Sequence, residues 1–373
     1  MLTKKTAERI RLLKEENLFR EPRIFDKAEG IFLFRKNKKI INFSSNDILG
    51  IAGSNQVKEI LANNILKYGS SASSSRLVSA GRQSVKDVEM KFARHFGFED
   101  CLFFNSGFQA NSGLFSSLFS EDDTVLYDKR IHASIVTGIK ASGAKSIGFN
   151  HNKISHMERR IKANAHISVA VAEALYSMDG DFLDDNFFET AKKNNIFTVV
   201  DEAHSVGAYG EAGKGINKGD IVVGTMGKAF GLFGAFILLP EIIKEYLLNK
   251  CREIIYTTML PEAVIVTAGE ILDIIADADD KRKRLRENTE FFKNLLQKNK
   301  INYGGNSHIV PIFIGEEKKA VQISNRLFEK GFHALASRYP SVPLKKAILR
   351  VTVTSEHKKN DIKNFINIFG SVT

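Results

Sequence analysis

An α/β fold with a mostly parallel central sheet is predicted by two observations along the 373 residues. Short apolar runs rich in Val, Ile and Phe recur at 101–104, 124–127, 167–172, 196–200, 221–224 and 234–239. They are too short for helices and too continuously apolar for strands with one solvated face, which is how strands covered on both sides read. Between them lie helix-length stretches such as 157–163 and 187–195, the crossovers that parallel strands require.

The elements follow in chain order. Residues 1–43 read as an N-terminal segment with one helix and a short hairpin at 32–41, turning at Lys36-Asn37-Lys38-Lys39. A large domain is expected over 44–271. In it Ser54 can cap a helix that carries Val57, Ile60, Leu61 and Ile65 on one face and ends at Gly69. Beyond about residue 270 the pattern changes to a charged helix at 281–299, alternating stretches at 308–314 and 348–354, and helices at 319–330 and 360–369. Residues 272–373 therefore read as a smaller C-terminal α+β domain.

Composition narrows the function classes. The chain is 43% hydrophobic, yet no stretch approaches the roughly 20 apolar residues that span a bilayer. The N-terminus is charged and amphipathic without a signal-peptide core, so a soluble cytoplasmic protein is expected, with no membrane partner. Cys101 and Cys251 lie far apart without metal-ligand spacing, so they read as buried apolar residues and no metal is expected. The net charge is +11, and its densest run is Lys281-Arg282-Lys283-Arg284 behind Asp277, Asp279 and Asp280. That run reads as a solvated helix start rather than a nucleic-acid surface; the alternative is a face attracting a phosphate-rich substrate or an acidic carrier.

Polar residues just after the apolar runs are the candidates for chemistry, because ligands of open α/β sheets bind at the carboxyl ends of the strands. The first run leads into Asn105-Ser106-Gly107-Phe108, a turn that either exposes backbone N–H groups to a phosphate or is an ordinary tight connection. Another ends in Asp201-Glu202-Ala203-His204, where the acid either faces a buried cation or caps a helix. A third ends in Thr225-Met226-Gly227-Lys228, with the lysine between glycines where a desolvated amine could attack a carbonyl. One cofactor explains the set. Pyridoxal 5′-phosphate needs a Schiff-base lysine (Lys228), an acid for its ring nitrogen (Asp201), a stacking group (His132) and phosphate donors (the Gly107 and Thr225 turns).

With these residues in view the sequence resembles the α-oxoamine synthases, fold-type I pyridoxal-phosphate enzymes that condense an amino acid with an acyl thioester and release CO2. The resemblance spans nearly the whole chain. It rests on Asn42-Phe43-Ser44-Ser45-Asn46-Asp47-Ile48-Leu49-Gly50, Ser75-Arg76-Leu77-Val78-Ser79, Asn105 to Asn111, His132-Ala133-Ser134, Glu173 with Ser177-Met178-Asp179-Gly180-Asp181, Asp201-Glu202-Ala203-His204, Thr225 with Lys228, and Tyr256-Thr257-Thr258. It implies that His132 stacks on the pyridine, Asp201 pairs with its nitrogen and His204 bonds its hydroxyl. Ser106, Gly107, Phe108, Ser177 and Thr225 line the cofactor, and Thr258 donates to the phosphate across a homodimer with shared active sites. Arg350 and Asn46 are implied to hold the amino-acid carboxylate. Arg338, before Pro340-Ser341-Val342-Pro343, and Arg20 near the acyl entrance complete the substrate set.

The chain departs from the family pattern at Ser70 to Ser74, Ala80, Val85 and Ile348, positions that bear on the acyl chain. Among the family's reactions, the compact length and Arg20 favour L-alanine with a pimeloyl thioester, CoA-borne or carrier-borne, as in biotin synthesis. Glycine with acetyl-CoA is the main rival, followed by the 5-aminolevulinate and serine–palmitoyl reactions. Two alternatives of other classes, a non-catalytic binding protein on the same fold and a nucleic-acid binder, leave the joint presence of Lys228, Asp201, His204 and His132 unexplained.

Overall fold

Seven strands form the central sheet of the computed structural model, which describes residues 1–373. In chain order they are β1 (Asp100–Phe104), β2 (Thr124–Asp128), β3 (Lys145–Phe149), β4 (Val169–Glu173), β5 (Phe197–Asp201), β6 (Ile221–Thr225) and β7 (Ala235–Leu239). Their spatial order is β1-β7-β6-β5-β4-β2-β3. All neighbours run parallel except β7, which is antiparallel to both β6 and β1. Two antiparallel pairings in succession return β1 to the direction of β6. The carboxyl ends of β1, β2, β4, β5 and β6 therefore share one edge of the sheet.

Six of the seven strands coincide with the apolar runs. β3 escaped that reading because it is an edge strand left uncovered, with Lys145 and Ser146 exposed and only Phe149 buried, whereas the other edge, β1, is buried from Cys101 to Phe104. The helix Asn55–Tyr68 is capped by Ser54, whose side chain accepts from the Val57 N–H, and it ends at Gly69 with φ +83°. The hairpin pairs Phe32–Arg35 with Lys38–Asn42 through a two-residue turn. Lys36 and Asn37 both have positive φ there, as a type I′ connection demands. No helix is long and apolar enough to cross a membrane.

The chain forms two compact units that are not those expected. One comprises Met1–Gly50, Ser177–Asp181 and Lys283–Thr373; the other comprises Ile51–Tyr176 and Phe182–Arg282 and contains the whole seven-stranded sheet. The N-terminal segment is thus part of the unit built by the C-terminal region. Strand Lys38–Asn42 pairs with Phe332–His333, and Phe43 is buried in one core with Phe292, Phe332 and Phe365. Local patterning could not show a pairing that joins residues so far apart in the chain.

The basic run opens helix Asp279–Lys298 with Lys283 and Arg284 exposed, as read, and Arg282 is the exception. Arg282 is 1% exposed and donates to the carbonyls of Ile275 (2.6 Å), Ala276 (2.8 Å) and Gly207 (3.3 Å), with an ion pair to Asp279 (2.7 Å). It occupies the carbonyl end of helix Glu262–Ala276, where unpaired acceptors and the helix dipole favour a cation. Both cysteines are buried and free.

His357 supplies a pH-dependent clasp in the unit that holds both termini. Its ring stacks on Phe43 at 4.1 Å, Nδ1 accepts from the Thr354 N–H, and Nε2 donates to the Asn42 carbonyl. Burial pulls its pKa down to about 3. A group neutral in the fold but basic when unfolded stabilises the protein above its unfolded pKa, and that stability drains away between about pH 6.5 and 3. His357→Gln should flatten the acid side of the stability curve by up to about 1.4 kcal/mol per pH unit in that window, read by urea unfolding at stepped pH.

Candidate active site

The shared carboxyl edge of the sheet gathers the predicted residues by simple geometry. Ser106 follows β1, His132 follows β2, Asp201 ends β5, and Thr225 ends β6. Ser106 caps helix Gly107–Leu118, its side chain accepting from the Gln109 N–H (3.2 Å). The N–H groups of Gly107 and Phe108 lie in the helix's first turn, where no intrahelical acceptor exists. A Cβ added to Gly107 would come 3.9 Å from that of Thr225, so the threonine flanks this helix end. The combination is an anion cradle.

Lys228 lies in the loop joining β6 to β7. Thr225 Oγ1 donates to the Gly234 carbonyl and accepts from the Gly227 N–H, Met226 N–H bonds Gly234, and Gly231 N–H bonds the Lys228 carbonyl. Gly231 has φ +65°, and a Cβ there would collide with the Ala52 backbone. The loop is therefore held at both ends and at its turn, and the lysine is half-buried within it.

Asp201 is 7% exposed. Oδ2 accepts from Asn111 Nδ2 (2.7 Å) and Oδ1 from the Ala203 N–H (2.9 Å), both uncharged donors. A buried carboxylate satisfied only by neutral groups suits a cationic ligand atom. His204 is buried in the turn after β5. Its neighbour Glu202 is fully buried, and burial pushes its pKa up to about 6. It holds Ser205 and the N–H groups of Ile216 and Asn217, so it organises the following loop.

Three residues whose roles the sequence did not disclose, Asn111, Ser134 and Asp128, complete this edge. Asn111, on the buried face of its helix, also bonds Ser134 Oγ (3.1 Å), and Ser134 Oγ lies 2.7 Å from His132 Nδ1. The contact exists because the two helices Gly107–Leu118 and Ala133–Ser142 pack closely at Gly138, where a Cβ would stand 2.7 Å from that of Phe115 and 2.9 Å from the Ser112 carbonyl. The edge of the Phe108 ring approaches His132 at 6.5 Å. Asp128 at the end of β2 is wholly buried and takes His151 Nδ1 (3.1 Å) and the N–H groups of Arg130 and Asn152. The rule that singled out Asp201, an acid directly after an apolar run, could have found it.

The other predicted residues divide between the units. Thr258 belongs with the sheet, and its carbonyl accepts from Asn105 Nδ2 (2.9 Å) beside the Ser106 turn. Ser177, Asn46, Arg20, Arg338 and Arg350 belong to the unit holding both termini. There Arg350 is 6% exposed and donates from Nε to the Ser177 carbonyl (2.6 Å) and from Nη1 to Thr352 Oγ1 (2.9 Å). Burial alone lowers its pKa to about 10, with no carboxylate contributing. Asn46 is exposed on the loop between Phe43 and Ile48, whose carbonyls are bonded by the Thr352 and Ser355 N–H groups. Arg338 and Arg20 hold one another's segments. Arg338 donates to the Asn17 and Phe19 carbonyls, and Arg20 to those of Arg338 and Tyr339.

Comparison with known proteins places this geometry in context. The family model described as aminotransferase class I and II matches residues 38–369. A Bacillus cereus relative, provisionally named 8-amino-7-oxononanoate synthase, is 36% identical over 95% of this chain and 93% of its own. A solved 8-amino-7-oxononanoate synthase from Francisella tularensis is 30% identical, covering 89% of this chain and 97% of that one at a TM-score of 0.78. A serine palmitoyltransferase from S. paucimobilis shares the fold at a TM-score of 0.93, with 24% identity over 100% of this chain and 98% of the other.

Gly138 is the steric condition for the Asn111 contact. Gly138→Val should destabilise the protein by about 2 kcal/mol through overpacking against Phe115 and the Ser112 carbonyl, measured by denaturant unfolding.

Proposed function

We propose that this chain, which belongs to the class I and II aminotransferase family and within it to the α-oxoamine synthases, joins L-alanine to a pimeloyl thioester to give 8-amino-7-oxononanoate, CO2 and the free thiol. The observation that carries the reading is the buried Asp201 carboxylate with only neutral donors, on the same sheet edge as Lys228 and the Gly107 helix end. Those features fit pyridoxal 5′-phosphate in charge and kind. The choice of alanine and pimeloyl rests on the two relatives bearing that enzyme's name, which match over most of this chain.

When bound, the cofactor supplies an electron sink that makes the amino acid's α-proton removable and loss of its carboxylate feasible. The protein residues would do the rest. The Ser106, Gly107 and Phe108 turn and Thr225 would hold the phosphate, Asp201 would keep the ring nitrogen protonated, His204 would bond the ring hydroxyl and His132 would cover the ring face. Ser177 is assigned to cofactor binding. Lys228 would hold the cofactor through its amine, and its Nζ would take the α-proton of the amino acid and return a proton to the product. Arg350, buried without a carboxylate partner, and Asn46 receive the substrate carboxylate. Arg20 is assigned to the acyl entrance and Arg338 to substrate binding. Thr258 is assigned to the phosphate bound by a second copy, which makes a homodimer the working unit.

The test crosses alanine, glycine and serine with pimeloyl-, acetyl-, succinyl- and palmitoyl-CoA and follows thiol release. Alanine with pimeloyl-CoA should have the highest kcat/KM, and Lys228→Ala should abolish release in every pair. Glycine with acetyl-CoA outpacing it would contradict the assignment.

A further inference from the structure

Asp201, Asn111, Ser134 and His132 form one unbroken hydrogen-bond chain, and donor counting along it sets the state of every member. Asn111, Ser134 and Asp201 are 2%, 0% and 7% exposed, so solvent does not complete their bonding. A carboxylate can only accept, so the Asn111 group 2.7 Å from Asp201 Oδ2 is its amide NH2, and the amide orientation follows. The second proton of that NH2 goes to Ser134 Oγ at 3.1 Å. The serine hydroxyl, already an acceptor there, has its own proton left for His132 Nδ1 at 2.7 Å. The Ser134 backbone N–H points to the same Nδ1 at 3.3 Å. His132 Nδ1 thus receives two donors and carries no proton of its own.

We propose that Asn111 and Ser134 are positioning residues that lock His132 as its Nε2–H tautomer and orient the Asp201 carboxylate through the same relay. The inference rests on the functional reading above, which gives Asp201 the pyridine nitrogen and His132 the ring face. It adds that the two groups are set by one network rather than separately. A proton on Nδ1 would leave the Ser134 hydroxyl and backbone N–H without an acceptor in a fully buried place, which costs about 1–3 kcal/mol for each group. Asn111 Oδ1 is itself buried without a partner, so the amide is retained there for its two donors.

The experiment uses the full chain labelled with [15N]histidine, cofactor-free and loaded with pyridoxal phosphate, at pH 8.5, where histidine is ordinarily neutral. Long-range 1H–15N correlation reads which ring nitrogen bears the proton, and loss of its signals in His132→Asn assigns the ring. The relay predicts an unprotonated Nδ1 and a protonated Nε2 in the wild type. Ser134→Ala should convert this to a tautomer mixture, and Ser134→Thr should restore it. Asn111→Leu should disturb the tautomer as well and weaken cofactor binding about tenfold, read by visible absorbance, because Asp201 loses one of its two donors. A proton on Nδ1 in the wild type, or a tautomer unmoved by both Ser134→Ala and Asn111→Leu, overturns the proposal. If either variant fails to fold, the wild-type and Ser134→Thr spectra still decide it. A wild type that takes up no pyridoxal phosphate contradicts the functional reading instead, and the cofactor-free spectrum separates the two failures.

Discussion

A carboxylate buried at the end of a parallel strand is the constraint around which this sheet edge is arranged. Asp201 is buried, and its carboxyl oxygens are met by two neutral donors, the Asn111 amide and the Ala203 N–H. Such an arrangement suits a cationic ligand atom, the place proposed for the pyridine nitrogen. Keeping Asn111 within reach requires its helix to start directly after β1 and to lie close against the helix after His132, which the absent side chain of Gly138 permits. Sheet topology, helix packing and the environment of the Asp201 carboxylate are thus linked in a short physical chain.

The other unit shows the same logic with opposite sign. Arg350 is buried, bonded to a carbonyl and a hydroxyl, and lowered in pKa by burial alone. Arg282, equally buried, is satisfied by the carbonyls at a helix end and by Asp279, and it is structural. The two arginines differ in their partners rather than their exposure. That difference makes Arg282 a helix cap and is why the carboxylate-binding role is proposed for Arg350.

Much of this was legible in the sequence because parallel strands buried on both faces leave a strong local signature. Six of the seven strands, the Ser54 cap and the hairpin at 32–41 were read from apolar runs and turn chemistry. What escaped depends on contacts between distant segments. β3 has an exposed edge pattern, Arg282 looks like one charge in a solvated run, and the pairing of Lys38–Asn42 with Phe332–His333 has no local trace. Asp201 and Lys228 stood out because their residue types are unusual after apolar runs, and His132 as the stacking group the cofactor requires. Asn111 and Ser134 did not, since their roles arise only where two helices pack closely enough for the side chains to meet.

The most direct measurement of the central claim follows the carboxyl carbon. With L-alanine labelled at C1 with 13C and a pimeloyl thioester, the account predicts one labelled CO2 for each thiol released and no label in the amino-ketone product. Label retained in a product, or pyruvate formed in place of CO2, would show transamination or simple acylation and contradict it.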